Sequence, residues 1–153
     1  LMGNIAVDGG MGTSLAAVGV TYRDSAELLS EEVKSTEHYS EENDDPEEVV
    51  LEKGFTTVKW SIIDATPDAL IKVLGGTKTG TAPNEIWNAP SLAPDIEQSV
   101  QINSKNGFSI DIVRAKITAN IDYKISRTGI LKVNITAKVL TPTKAATAPY
   151  TIG

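Results

Sequence analysis

The sequence predicts an all-β fold, mainly an antiparallel β-sandwich or barrel, with one short α-helix at about residues 67–74. Three observations carry this expectation. First, apolar and polar residues alternate through 113–140 on both sides of Arg127-Thr128-Gly129. Ala115, Ile117, Ala119, Ile121, Tyr123 and Ile125, then Leu131, Val133, Ile135, Ala137 and Val139, make one apolar face of a long β-hairpin. Second, residues 96–103 and 108–112 are joined by Ser104-Lys105-Asn106-Gly107, and Asn-Gly favours the left-handed backbone of a tight hairpin turn. Third, the period changes once. Thr66-Pro67-Asp68 supplies a hydroxyl N-cap, a proline at the first helical position and an acid in the first turn. Leu70, Val73 and Leu74 then form a narrow apolar stripe, and Gly75-Gly76 ends the helix.

The elements follow in order. Met2-Gly3 reads as a natural start, with Leu1 a processing remnant. Residues 1–18, with Gly9-Gly10 and Gly12, are expected as a flexible arm outside the core. Val20-Thr21-Tyr22 reads as a short strand and Arg23-Asp24-Ser25 as a turn. Residues 27–39 read as a charged strand or a weak helix, and 41–46 (E-E-N-D-D-P) as a loop, because like charges repel and Asn, Asp and Pro favour turns. Residues 49–64 return to strand, with Val58, Trp60 and Ile62 in core phase. Residues 77–83 read as a polar linker and 85–88 as an edge strand around Trp87, a candidate contact residue. Phe108, Ile110 and Ile112 are in phase at even numbers and the next strand at odd ones, which predicts a bulge at Ile112-Val113. A single sandwich domain is expected over 19–142, followed by a loosely structured tail over 143–153. Each arm of the 113–139 hairpin has about eleven residues and runs about 35–40 Å. A chain of this length has a radius of gyration of about 15 Å, so the hairpin spans the domain.

Composition narrows the function. The chain has no cysteine, which excludes disulfides, thiol nucleophiles and thiolate metal sites. Its longest apolar run, residues 15–20, is far short of a membrane helix. His38 is the sole histidine and lies in a charged segment, where it reads as a surface residue. The acidic run lacks the glycine and fixed spacing of a calcium loop. Neither Gly10-Met11-Gly12 nor residues 74–80 has the spacing of a nucleotide-binding loop. Asp111 and Asp122 read as solvated strand positions. No catalytic, cofactor or metal site is therefore expected, and no enzyme.

Charge is the informative feature. The net charge is −6, but residues 27–52 hold eleven acids against Lys34 alone, a segment charge of −10, which leaves +4 elsewhere. The loop at about 40–48 concentrates Glu41, Glu42, Asp44, Asp45, Glu47 and Glu48. The polar face of the 113–139 hairpin carries Arg114, Lys116, Lys124, Lys132 and Lys138. Opposite charges on separate elements, with open strand edges, predict head-to-tail assembly of identical copies.

The order of segments resembles the major tail tube proteins of long-tailed bacteriophages. The likeness runs through G-V-T-Y-R-D-S-A-E-L-L-S (19–30), the acidic loop and F-T-T-V-K-W-S-I-I-D-A-T-P-D-A-L-I-K-V-L-G-G (55–76). It continues in the alternating strands of the last third, which end T-A-K-V-L-T-P. It implies a β-sandwich with one flanking helix, six copies closing a ring, and rings stacked into a tube that conducts DNA. By position, loop 40–48 would reach a neighbouring subunit or ring, and the arm at 3–13 likewise. The 113–139 hairpin would face the lumen or a neighbouring subunit. The implied partners are further copies of the chain, the tail terminator, distal tail or baseplate and tape measure proteins, and DNA in passage, with no cofactor and no membrane. The implied location is the virion tail, assembled in the host bacterial cytoplasm. An inner tube of a contractile injection system or phage-like bacteriocin would share this fold. A monomeric β-sandwich binding module would need a groove with exposed aromatics.

Overall fold

Alternation gives a strand two faces, and in this chain one long strand also collects partners along both edges. The computed structural model describes residues 1–153. In order, its elements are β1 (Met2–Gly3), β2 (Val20–Thr21), β3 (Glu27–Ser30), β4 (Lys34–His38), β5 (Glu48–Glu52), β6 (Thr56–Ile63), α1 (Pro67–Leu74), β7 (Thr77–Thr79), β8 (Ile86–Asn88), β9 (Ile96–Asn103), β10 (Ser109–Asp122), β11 (Lys132–Val139) and β12 (Tyr150–Ile152). Eight strands make one curled sheet in the order β1-β9-β10-β11-β6-β2, with β12 paired to β10 and β3 to β6. Strands β4–β5 and β7–β8 form separate two-stranded sheets. The architecture is all-β with one short helix, as expected.

Register explains the core. Strand β10 meets β11 in antiparallel pairs from Ala115↔Val139 to Asp122↔Lys132. Strand β11 meets β6 from Lys132↔Ile63 to Lys138↔Thr57. Directly opposed residues share a face, so Val58 and Ile62 join Val133, Ile135, Ala137, Ala115 and Ile117, and all are buried. The expected break in phase is present as a register shift between Ile112 and Ala115 in the pairing with β9. A bulge removes backbone groups from the ladder. Here the buried Ser99 hydroxyl donates to Val113 O at 2.7 Å, and Val113 N donates to Pro149 O at 3.1 Å.

The helix is bounded as its sequence dictates. Thr66 Oγ1 accepts from Ala69 N at 3.3 Å, Pro67 opens the first turn, and Gly75, at φ 70°, caps the end. Ala69, Leu70 and Val73 enter the core cluster.

Several expectations need correction. The segment 1–18 is not a free arm outside the core: β1 pairs with β9, Met2 bridges to Ala16, and Met2 and Val18 belong to the core cluster. Glycine serves close approach here, since a Cβ on Gly12 would collide with the Asn4 carbonyl. Residues 27–39 form two strands, β3 on the main sheet and β4 off it. Residues 49–64 likewise divide into β5 and β6. Part of the expected linker is β7, paired with β8. The tail contributes β12, which pairs with Ile110, Asp111 and Ile112 of β10. Asp111 is also not simply solvated, because its Oδ1 is buried without a hydrogen-bond partner.

The long hairpin is real but shorter in its ladder than expected. Its paired part ends at Asp122↔Lys132, so it runs about 27 Å. On β10 the apolar face is buried as far as Ile117 and half-buried at Ala119, while on β11 Val133 is still buried. Beyond Ala119, Ile121 is 43%, Tyr123 51% and Ile125 90% exposed. Substitutions on this one face should therefore separate sharply. In the unassembled protein, Ile135→Ala should destabilise by about 2–5 kcal/mol, whereas Ile121→Ala should stay within about 0.5 kcal/mol. Urea unfolding checks both, and equal losses would mean that the outer half is covered.

Candidate assembly interface

Strands β4 and β5 pair over Lys34↔Glu52 to His38↔Glu48, and the loop between them holds the acidic cluster. The hairpin therefore carries Glu41, Glu42, Asp44, Asp45 and Glu47 in its loop and Glu48 at the start of β5, where the expected loop 40–48 ends one residue early. The loop is held by its own chain: Glu47 N donates to His38 O at 2.8 Å, Ser40 Oγ donates to Glu47 Oε1 at 3.1 Å, and Tyr39 OH donates to Glu37. At the root, Glu31 N donates to Phe55 O at 2.9 Å. Every residue from 31 to 53 is exposed. None of these six carboxylates forms an ion pair within the molecule.

This arm is amphipathic. Pairing Ser35 with Leu51 and Glu37 with Val49 puts odd-numbered residues on one face, so Val33, Tyr39, Val49 and Leu51 line up there. They are 57%, 58%, 47% and 67% exposed. A two-stranded hairpin without a covering layer is marginally stable in water, and nothing in its own chain covers this one.

The second surface is the polar face of the main sheet. Register places Arg114 and Lys116 on β10 beside Lys132 and Lys138 on β11, with Lys59 of β6 opposite Thr136. The structure brings four of the five expected cations onto this face; Lys124 lies in the loop beyond β10. The face is less basic than its lysines and arginine alone imply. Arg114 Nε donates to Glu97 at 2.8 Å, and Lys116 pairs with Asp95 and lies 3.6 Å from Glu97. Lys132 Nζ lies 4.0 Å from the centre of the Tyr22 ring and Lys138 Nζ 3.6 Å from that of Phe55, both within cation–π range. Asn134 Oδ1 accepts from Ser61 Oγ at 2.6 Å.

These contacts set the local titration. The Arg114 hydrogen bond holds the Glu97 carboxyl below its ordinary value. Glu97 in turn raises Arg114, and Asp95 raises Lys116. Sequence reading missed Asp95, Glu97, Tyr22 and Phe55 as partners of the cations, since strand pairing, not sequence distance, brings them together. Trp87, a candidate contact residue, is half-buried and packs against the core. Its indole Nε1 donates to Gly75 O at 2.8 Å, at the helix end.

Because folded Glu97 takes up its proton less readily than the unfolded chain does, protonation favours unfolding. Its contribution is present above pH 4.5, its ordinary value, and is lost as the pH falls through the depressed folded value. The pair is near the surface, so the effect is small. Glu97→Gln should flatten the fall in urea midpoint between about pH 5 and pH 3; superimposable pH profiles would remove the pair from the account. Compared with known proteins, the chain matches no family model and no curated sequence, so the reading of these surfaces rests on their chemistry and on the resemblance above.

Proposed function

We propose that this chain is a tail tube subunit, a structural virion protein whose copies close into hexameric rings that stack into a conduit for phage DNA. The observation that carries the self-assembling part of this reading is surface left without a partner. The molecule exposes 10516 Å², whereas a compact monomer of 16.3 kDa exposes about 7,500 Å². The excess, about 3,000 Å², is on the scale of obligate interfaces. The uncovered arm and the outer hairpin lie where such an excess would be expected. The phage part rests on the resemblance of residues 19–30 and 55–76, and on the alternating strands that follow.

The polar sheet face suits a lumen better than its lysines suggest. A conduit must not hold DNA, because each phosphate neutralised by a cation adds affinity. Arg114, Lys116, Lys59, Lys132 and Lys138 share this face with Asp95, Glu97, Glu27 and Asp122, placed by contact or by register. Thr118, Asn120, Asn134 and Thr136 fill the space between. The lining is hydrophilic and nearly neutral, so a duplex is wetted and not gripped.

Concentrated protein at low salt should show rings or tubes with a central hole by negative-stain electron microscopy. A strict monomer by light scattering under those conditions would overturn the proposal. Replacing residues 34–52 with a short Gly-Ser turn should leave a folded protein, by circular dichroism, that no longer assembles.

A further inference from the structure

Two apolar surfaces lack cover in this molecule, and their surroundings carry opposite charge. One is the odd-numbered face of the β4–β5 arm, where Val33, Val49 and Leu51 are exposed along the strands that lead out to the acidic loop. The other is the far end of the β10–β11 hairpin. There Ile121, Tyr123, Ile125 and Ile130 are 43%, 51%, 90% and 49% exposed. The loop between these strands, 123–131, contains Lys124 and Arg127 and no acid. Neither cation has a carboxylate partner within the molecule.

We propose that the far end of the β10–β11 hairpin is the receptor for the arm of a second copy of this chain. Val33, Val49 and Leu51 would pack on Ile121, Tyr123 and Ile125, while Glu41, Glu42, Asp44 and Asp45 would approach Lys124 and Arg127. The two patches are different surfaces of one chain, so the contact is head-to-tail. Such a contact leaves a free arm and a free receptor on each dimer and propagates until a ring closes. Apolar packing would supply most of the affinity, and the charges would set orientation and association rate. The inference rests on the tube-subunit reading only for what the closed assembly is; the contact itself requires only two copies.

The natural absence of cysteine makes the test direct. Leu51→Cys and Tyr123→Cys are prepared as separate full-length proteins, mixed, and treated with a short bismaleimide. A covalent dimer is expected from the mixture, and not when Leu51→Cys is mixed with Ile86→Cys, an exposed position on β8. In parallel, Lys124→Glu with Arg127→Glu should weaken assembly about ten-fold or more at low salt. Adding this protein to one with Glu41→Lys and Glu42→Lys should restore pairing between the two. Assembly of the wild type without the 51–123 cross-link and without an effect of charge reversal would overturn the receptor and leave the tube-subunit reading standing. The cross-linked pair without rings or tubes would support the receptor and overturn the tube. A wild type that stays monomeric at high concentration would overturn both.

Discussion

Strand β10 is the constraint on which the rest of this fold depends. It is 14 residues long, and each of its two backbone edges must be paired or solvated. On one edge it takes β9 along most of its length; on the other it takes β12 before the bulge and β11 after it. The bulge at Ile112 to Ala115 makes this sharing possible. It changes which parity faces inward, so Ile112 and Ala115 are both buried although their numbers differ by an odd step. Ser99 answers the carbonyl that the bulge frees, and a Val at position 99 would leave it unpaired. Residues from both ends of the chain thus meet on one strand system, and the N-terminal β1 extends it through β9.

A sheet organised this way covers its apolar face incompletely. One helix of eight residues and the segment around Met2 and Val18 close over a core cluster of 14 residues. Only 21 of 153 residues are buried in all, which is thin for a chain of this length. The outer hairpin and the arm lie outside this cover and keep their apolar side chains in water. Burial of apolar surface is the main favourable term in association, so these regions are where a partner would add most. The polar sheet face behaves differently. Arg114, Lys116, Lys132 and Lys138 already have carboxylate or aromatic partners, and most remaining positions are short polar side chains.

Much of the fold was legible because the physical signal is local. The cap at Thr66, the proline at 67 and the glycine at 75 act within one turn, and the helix occupies the residues they bound. The phase slip at Ile112-Val113 could be counted on the sequence, as could strand β9. Segments that take their structure from a distant partner were not legible. Residues 150–152 have no strand pattern of their own and pair because β10 offers an edge. Residues 2–3 look like part of a glycine-rich arm, yet pair with β9 nearly a hundred residues away. The stretch 49–64 reads as one strand, and its division at 53–55 sends one part to the arm and the other to the main sheet.

The candidate surfaces divide in the same way. Sequence by itself determined that eleven acids fall within 27–52, that the chain has two separable charge regions, and that Arg114, Lys116, Lys132 and Lys138 share one hairpin face; each follows from order along the chain and the two-residue period of a strand. Tertiary structure alone decided that Glu97 and Asp95 offset Arg114 and Lys116, that Lys132 and Lys138 lie over Tyr22 and Phe55, and that Ile121, Tyr123 and Ile125 run past the edge of the core. Those facts depend on which strand lies beside which and how far the covering layer extends. Strand register and sheet curl are properties of the folded chain as a whole, and no local pattern of residues encodes them.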